Sequence, residues 1–184
     1  MFLILFGLLL GPGYYAYSRY LSGEDTATLE LTERSDRFTL ADGSIQRFRG
    51  GFGYRPTPLA LSPERNEIRL TLRFHFPEGA APADAKNRYL VTALDGDYPI
   101  SQHEIAVDAR AGGSETIRLP PFATRSPLDH ALLVEELGKP AFAADRLSVT
   151  VRERVFPLVP TYTWSGFAVL LVGAVLYVVG LRRM

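Results

Sequence analysis

The residues from Trp164 to Leu181 constrain this chain more than any others, because 18 follow one another without a charge. At about 1.5 Å per residue an α-helix of that length reaches roughly 27 Å, close to the hydrocarbon thickness of a bilayer. Tyr162 and Trp164 suit one membrane interface, and Arg182 and Arg183 suit the other. A second apolar stretch opens the chain, Phe2 to Tyr20, reading FLILFGLLLGPGYYAYSRY. It is aliphatic at first and then carries Tyr14, Tyr15, Tyr17 and Tyr20 as an aromatic belt. Pro12 has no N–H to give the Leu8 carbonyl, so a kink or break is expected there. The competing assignment is a cleaved signal peptide with Ala16-Tyr17-Ser18 as its small-x-small site. No basic residue precedes the apolar run, and an uncleaved anchor is the expectation. The predicted organisation is a transmembrane helix over 1–21, an extramembrane domain over 22–160, and a second transmembrane helix with a short tail over 161–184.

Glycines punctuate both helices. Gly7 and Gly11 form a GxxxG, and Gly166, Gly173 and Gly180 recur every seven residues. Seven residues turn a helix by about 700°, so the latter three lie almost on one line. Such a stripe lets another backbone approach closely. A packing face is predicted, for the other helix of this chain or for a partner subunit.

The Arg182–Arg183 pair predicts a cytoplasmic C-terminus. Two spans then place the N-terminus inside and the domain outside, on the periplasmic face of a bacterial inner membrane. Arg19, Arg152 and Arg154 pull the other way. The loop between the helices is far longer than the ~60 residues over which loop charge governs orientation, so the terminal pair decides. With nearly absent tails, no cytoplasmic nucleotide-binding, kinase or DNA-binding module is expected.

The chain carries 20 acidic and 20 basic residues, a balance that gives no reason to expect nucleic acid or a polybasic lipid surface. It has no cysteine. That excludes disulfides, Cys-ligated zinc, iron–sulfur clusters, blue copper and thiol nucleophiles.

Between the apolar ends the pattern is that of short strands. Glu67 to Phe76 (EIRLTLRFHF) alternates most cleanly, with Ile68, Leu70, Leu72, Phe74 and Phe76 on one face. Thr26 to Glu33 and Arg146 to Phe156 alternate as well. Asp36 to Phe48 reads as a hairpin turning at Asp42-Gly43 in a type I′ turn. Thr57–Leu61, Tyr89–Leu94, Tyr98–Val107 and Glu115–Leu119 are further strands. His130 to Leu137 gathers no helical face and is taken as a strand, although Ser126-Pro127 would suit a helix start. Nine or ten such segments separated by Gly/Pro turns predict an antiparallel β-sandwich of immunoglobulin-like order.

Candidate chemistry is sparse. His75, His103 and His130 are the only histidines. His103-Glu104 and Asp129-His130 are adjacent pairs, but neighbours on a strand point to opposite faces, and His75 shares its face with Arg69 and Arg73. No metal site is expected. No GxSxG, P-loop or GxGxxG occurs, so neither a catalytic residue nor a cofactor site is expected, and the chain is read as non-enzymatic. The most unusual composition is RFRGGFGYR, Arg47 to Arg55. Its Arg47, Arg49, Phe52, Tyr54 and Arg55 form a candidate contact loop for a protein, lipid headgroup or glycan. The leading expectation is an accessory, assembly or stabilising subunit, partnered by other integral membrane subunits and the lipid bilayer. The alternative is a membrane-tethered module that binds a glycan or a metal ion.

Overall fold

The computed structural model describes residues 2–40, 42–79, 82, 85–125, 129–156 and 158–181. The chain divides into two units, Met1–Gly23 with Arg154–Met184, and Glu24–Glu153. The expected Ser126-Pro127 helix start and the Arg182–Arg183 pair lie outside the described residues.

The larger unit is an antiparallel β-sandwich. Its four-stranded sheet runs β1 (Glu24–Leu31), β11 (Arg146–Glu153), β6 (Arg69–His75) and β9 (Ser114–Arg118). Its five-stranded sheet runs β2 (Arg34–Ser35), β5 (Gly53–Leu59), β10 (His130–Glu136), β7 (Lys86–Asp95) and β8 (Tyr98–Asp108). A separate hairpin pairs β3 (Arg37–Thr39) with β4 (Ile45–Arg47). The alternation in β6 has the predicted consequence: Leu70, Leu72 and Phe74 are buried against Leu147, Val149 and Val151 of β11 and against Tyr89, Val91, Leu132 and Val134 of the facing sheet. β10 shows no alternation because it is central in its sheet and buried on both faces.

The strand order corrects the immunoglobulin-like expectation. An immunoglobulin sandwich pairs several consecutive strands within one sheet. Here, among the described strands, only β7–β8 and β3–β4 are consecutive neighbours, and the remaining connections carry the chain to a different sheet. Leaving out β2 and the hairpin, the eight principal strands take the interleaved order of a jelly roll, first-eighth-third-sixth over second-seventh-fourth-fifth. The hairpin turn also differs from expectation. Gly43 is left-handed (φ +84°) while Asp42 is not, and the Gly43 N–H donates to the Leu40 carbonyl at 3.0 Å. The connection is therefore longer than the two-residue type I′ turn, which needs positive φ at both positions.

The ladder between β1 and β11 sets Glu24 opposite Glu153 and Leu31 opposite Leu147. Arg152 clasps Asp25 in a bidentate pair at 2.6 and 3.0 Å. Its hydrogen bonds hold the Asp25 carboxyl below the usual carboxylate range, against a smaller opposing effect of burial.

The smaller unit is helical. From Phe2 to Leu21 the backbone stays helical but changes winding: α1 (Phe2–Leu8), a π turn (Leu9–Gly13), α2 (Tyr14–Ala16) and a second π turn (Tyr17–Leu21). Pro12 sits in the first π turn, where the Tyr14 N–H reaches back to the Leu9 carbonyl. The wider turn absorbs the missing proline donor, so the expected break becomes a π bulge. α3 (Pro160–Leu181) is regular. Among the described residues it is the one helix long and apolar enough to cross a membrane. The N-terminal stretch, divided by its π turns, does not repeat that feature, so the expectation of two equivalent spans is reduced to one candidate.

The two helical segments run antiparallel with almost no side chain between them. A Cβ at Gly7 would lie 2.5 Å from the Leu170 backbone nitrogen, and one at Gly11 3.0 Å from that of Phe167. A Cβ at Gly166 would run into the backbone of Leu10 and Gly11, and one at Gly173 would come within 3.1 Å of Leu3 and Ile4. The surroundings of Gly180 lie outside the described residues. Ahead of α3 the chain is not helical, and side chains of the N-terminal segment complete its hydrogen bonds. Ser18 Oγ donates to the Phe156 carbonyl (2.8 Å), the Phe156 N–H donates to Ser22 Oγ (3.1 Å), and the Val159 N–H donates to the Tyr14 hydroxyl (3.0 Å).

Two outcomes follow. Gly166→Leu should separate the helical segments, because over-packing of this kind costs about 1–3 kcal/mol. Amide exchange over residues 2–21 in micelles should then accelerate by roughly 5- to 150-fold; unchanged protection would contradict the contact. For Asp25, a carboxyl held below its unfolded value contributes stability above the ordinary range, and that contribution disappears as pH falls through the folded value. The difference in urea midpoint between wild type and Asp25→Asn should therefore be steady above about pH 5 and shrink towards zero near about pH 2.

Candidate functional site

The outward face of the five-stranded sheet is not left bare. The β3–β4 hairpin folds over it, and Phe38 and Phe48 pack with Leu94 of β7 and Leu133 of β10 in a second, smaller apolar cluster. The two phenylalanine rings lie 4.8 Å apart. Because the hairpin covers only part of the face, grooves open beside it. One, of about 210 Å³, has Thr92, Leu133 and Glu135 on the sheet and Gln46, Arg47 and Arg49 on the hairpin and the loop that follows. A second cleft, of about 230 Å³, shares Leu40, Leu94 and Asp97 with the first and is lined further by Pro56, Pro58 and His130.

The loop after β4 explains why this sequence is so rich in glycine. A Cβ at Gly50 would collide with the Glu136 carbonyl, and one at Gly53 would lie 2.6 Å from the Phe48 ring and from the Val134 carbonyl. Gly51 is left-handed, with φ +94°. The loop is thereby pressed onto the end of β10. The Arg49 N–H donates to Glu135 Oε1 at 3.1 Å, and the Glu136 N–H donates to the Phe52 carbonyl at 2.9 Å. Two consecutive residues of β10 thus fix the loop that carries Arg49.

The structure separates the predicted contact residues. Arg47 and Arg49 line the groove, and their side chains make no ion pair among the described residues. Arg55 lies on the far flank of the hairpin beside Arg37 and Ile45, and pairs with Glu33 at 3.1 Å. Phe52 is 49% exposed, with the Arg34 guanidinium 5.3 Å from its ring centre. Tyr54 must be corrected: it is 1% exposed and belongs to the core. The strand β5 starts at Gly53, earlier than its sequence pattern indicated, so Tyr54 is already its first inward residue. Burial pushes the Tyr54 hydroxyl well above the ordinary phenol range, and burial likewise pushes that of Tyr89 up to about 12.

Gln46, Thr92, Asp97, Gln102 and Glu135 line the groove and escaped the sequence reading. Thr92 lies in YLVTAL, which reads as wholly buried, and Gln102 lies in an irregular stretch. In the structure Gln102 Nε2 donates to Thr92 Oγ1 at 3.3 Å across the β7–β8 ladder. Only the alternation of β7 against an outer cover identifies them, and nothing local in the sequence announces that cover.

The histidines do not converge. His75 stands on β6 within 3.3 Å of Ser148 Oγ, His103 pairs with Val91 in the β7–β8 ladder, and buried His130 meets Thr124 Oγ1 at 2.5 Å. Among the described residues no three His, Asp or Glu side chains are grouped to hold a metal ion. The groove is lined by amide, guanidinium, hydroxyl and carboxylate groups of balanced charge, of which Thr92 and Glu135 are themselves buried and form its floor. Such groups are hydrogen-bond donors and acceptors for a polar molecule.

Gly50→Ala should destabilise the sandwich by about 2 kcal/mol or more, since the β10 backbone must move, while Gly51→Ala should cost about 1 kcal/mol for its left-handed conformation alone. Urea unfolding of the full chain followed by near-UV dichroism measures both; equal costs would contradict the close approach at Gly50.

No family model and no curated protein matches the sequence. Among solved structures, the C-terminal CBM6 of LamC, a marine laminarinase from Zobellia galactanivorans, aligns at 10% identity over 67% of this chain and 99% of its own, with a TM-score of 0.36. A xylan-binding module, CBM15, aligns at 13% identity over 71% of this chain and 97% of its own, with a TM-score of 0.38. A xylan-binding domain from CBM 22 aligns at 16% identity over 76% of this chain and 99% of its own, with a TM-score of 0.35. The strand order, rather than these likenesses, defines the fold.

Proposed function

We propose that this chain is a membrane-tethered, non-enzymatic binding module that holds a glycan in the groove beside the β3–β4 hairpin. One observation carries the reading. Gln46, Arg47, Arg49, Thr92, Gln102 and Glu135, drawn from β4, the loop after it, β7, β8 and β10, meet in one outward groove. Sheet and hairpin fix them there at no further cost in ordering, which favours recognition of a ligand rich in hydroxyl groups.

The helical unit supports the tether more than an assembly role. Gly7, Gly11, Gly166 and Gly173 face one another within this chain, so those close-packing faces are not on offer to another subunit. In this reading α3 is embedded in lipid and the N-terminal segment lies against it, a two-helix anchor. The Arg182–Arg183 pair then favours a cytoplasmic end and a sandwich on the periplasmic face of a bacterial inner membrane.

The test is calorimetric titration of the full chain in nanodiscs with cellohexaose, xylohexaose and chitohexaose. Wild type should bind at least one. The double variant Arg49→Ala, Gln102→Ala should bind it roughly 10- to 100-fold more weakly, as expected for the loss of one charged and one neutral hydrogen bond, with an unchanged melting temperature. Failure of all three sugars to bind, or full affinity in the double variant, would overturn the reading.

A further inference from the structure

We infer that Glu135 anchors the ligand on the groove floor: its free carboxylate oxygen accepts a hydrogen bond from a hydroxyl of the glycan, and its charge makes the groove select neutral sugars over uronates. The inference rests on the glycan reading of the groove. Glu135 shares the outward parity of Leu133 on β10, whereas Leu132 and Val134 belong to the core. It lines the groove and is 5% exposed. Its ladder neighbours are Leu90 on β7 and Gly53 on β5, so neither flanking strand sets a cation directly beside it. Its two oxygens differ. Oε1 accepts from the Arg49 N–H at 3.1 Å and so holds the loop. Among the described residues Oε2 makes no hydrogen bond, and Glu135 makes no ion pair. Nor is Oε2 sealed in: the buried side-chain atoms without a partner, among the described residues, are Glu136 Oε1 and Thr163 Oγ1. The groove is the opening that Glu135 lines, so it is there that Oε2 meets water.

An ionised carboxylate accepts hydrogen bonds and never donates one. A ligand that reaches Oε2 must therefore bring an O–H or N–H, and a bond to a charged acceptor is roughly twice as strong as a neutral one. A ligand without a donor at that point leaves a poorly hydrated acceptor unpaired, which is how a polar site rejects an analogue. A uronate carboxylate is such a ligand, and it also carries the same charge. The groove holds Arg47, Arg49 and a further carboxylate, Asp97, as well. All three are exposed, where water and salt screen a charge and an exposed ion pair contributes little. Glu135, on the covered floor, is screened far less. Thr92, the other buried polar side chain there, is neutral and accepts from Gln102 Nε2 at 3.3 Å. For a sugar seated deeply enough to touch the floor, the sign of Glu135 decides.

The experiment titrates the full chain in nanodiscs with cellohexaose, xylohexaose and chitohexaose, each beside an acidic counterpart. The counterparts are cellohexaose and chitohexaose oxidised at C6 to the uronate, and xylohexaose carrying one glucuronic acid branch. Wild type should bind its neutral sugar at least about tenfold more tightly than the counterpart. Glu135→Gln keeps an amide oxygen for the Arg49 N–H but loses the charged acceptor. It should weaken the neutral sugar roughly 10- to 100-fold, as expected for a hydrogen bond to a charged group, and bind the uronate no more weakly than wild type does. The melting temperature and the exchange rate of the Arg49 amide should not change. If they do, the wild-type comparison, which needs no variant, decides. A uronate bound by wild type as tightly as the neutral sugar, or full affinity in Glu135→Gln, would overturn the anchor. Loss of binding in Arg49→Ala, Gln102→Ala would then leave the groove standing. Wild type that binds none of the three neutral sugars would dismiss the groove and the anchor together.

Discussion

Both units depend on the pairing of the chain's first segment with its last. In the sandwich β1 lies against β11, with Glu24 across from Glu153. In the helical unit the N-terminal segment lies antiparallel to α3, with Gly11 against Gly166 and Ile4 against Gly173. Each partnership joins residues more than a hundred positions apart, so its loop-closure entropy is large and must be offset by contact. In the sandwich the offset comes from ladder hydrogen bonds and the burial of Leu31, Leu147, Val149 and Val151. In the helical unit it comes from backbone approach at glycine, where dispersion contacts replace side chains. A single chain thus closes on itself twice, by two different kinds of physics.

The remaining consequence of a jelly-roll order is that each sheet has an outer face. In the five-stranded sheet Leu94 and Leu133 point outward and would expose apolar area to water if nothing covered them. The β3–β4 hairpin is the cover. It is attached by Phe38 and Phe48 and by a loop whose glycines permit contact with the β10 backbone at a distance no Cβ allows. Because the cover is narrower than the sheet, a groove opens at its edge, lined by Gln102 and, beneath it, by the buried Thr92. The groove is therefore a by-product of how one apolar patch is buried, and its polar residues sit where the patch ends.

How much of this was legible depended on range. Patterns of period two survive in any context, so β6 and β11 could be read directly from alternating Leu, Ile and Val. The glycine spacing in α3 could be read too, but spacing does not say what stands opposite. Strand order is a set of long-range pairings, and no local pattern distinguishes a jelly roll from an immunoglobulin sandwich of equally short strands. Tyr54 was misplaced because five of the eight residues from Arg47 to Tyr54 are Arg or Gly and read as a loop, whereas the sheet begins at Gly53. Pro12 predicted a fault in the helix correctly in kind; that a π turn would take it up depends on Tyr14 reaching the Leu9 carbonyl, which propensity does not encode.

Positions where sequence rules are strained occur in both units. In the helical unit the irregularities are compensated: the π turn re-satisfies the backbone at Pro12, and Ser18, Ser22 and Tyr14 complete the non-helical approach to α3. An unmet backbone group is expensive wherever water is excluded, and these bonds meet the groups ahead of α3. In the sandwich, among the described residues, only one oxygen of the buried Glu136 carboxylate is hydrogen-bonded, to Arg34. Among the described residues each unit thus keeps one buried side-chain oxygen without a hydrogen-bond partner, Thr163 Oγ1 in α3 and Glu136 Oε1 at the end of β10, so partial satisfaction does not set the two apart.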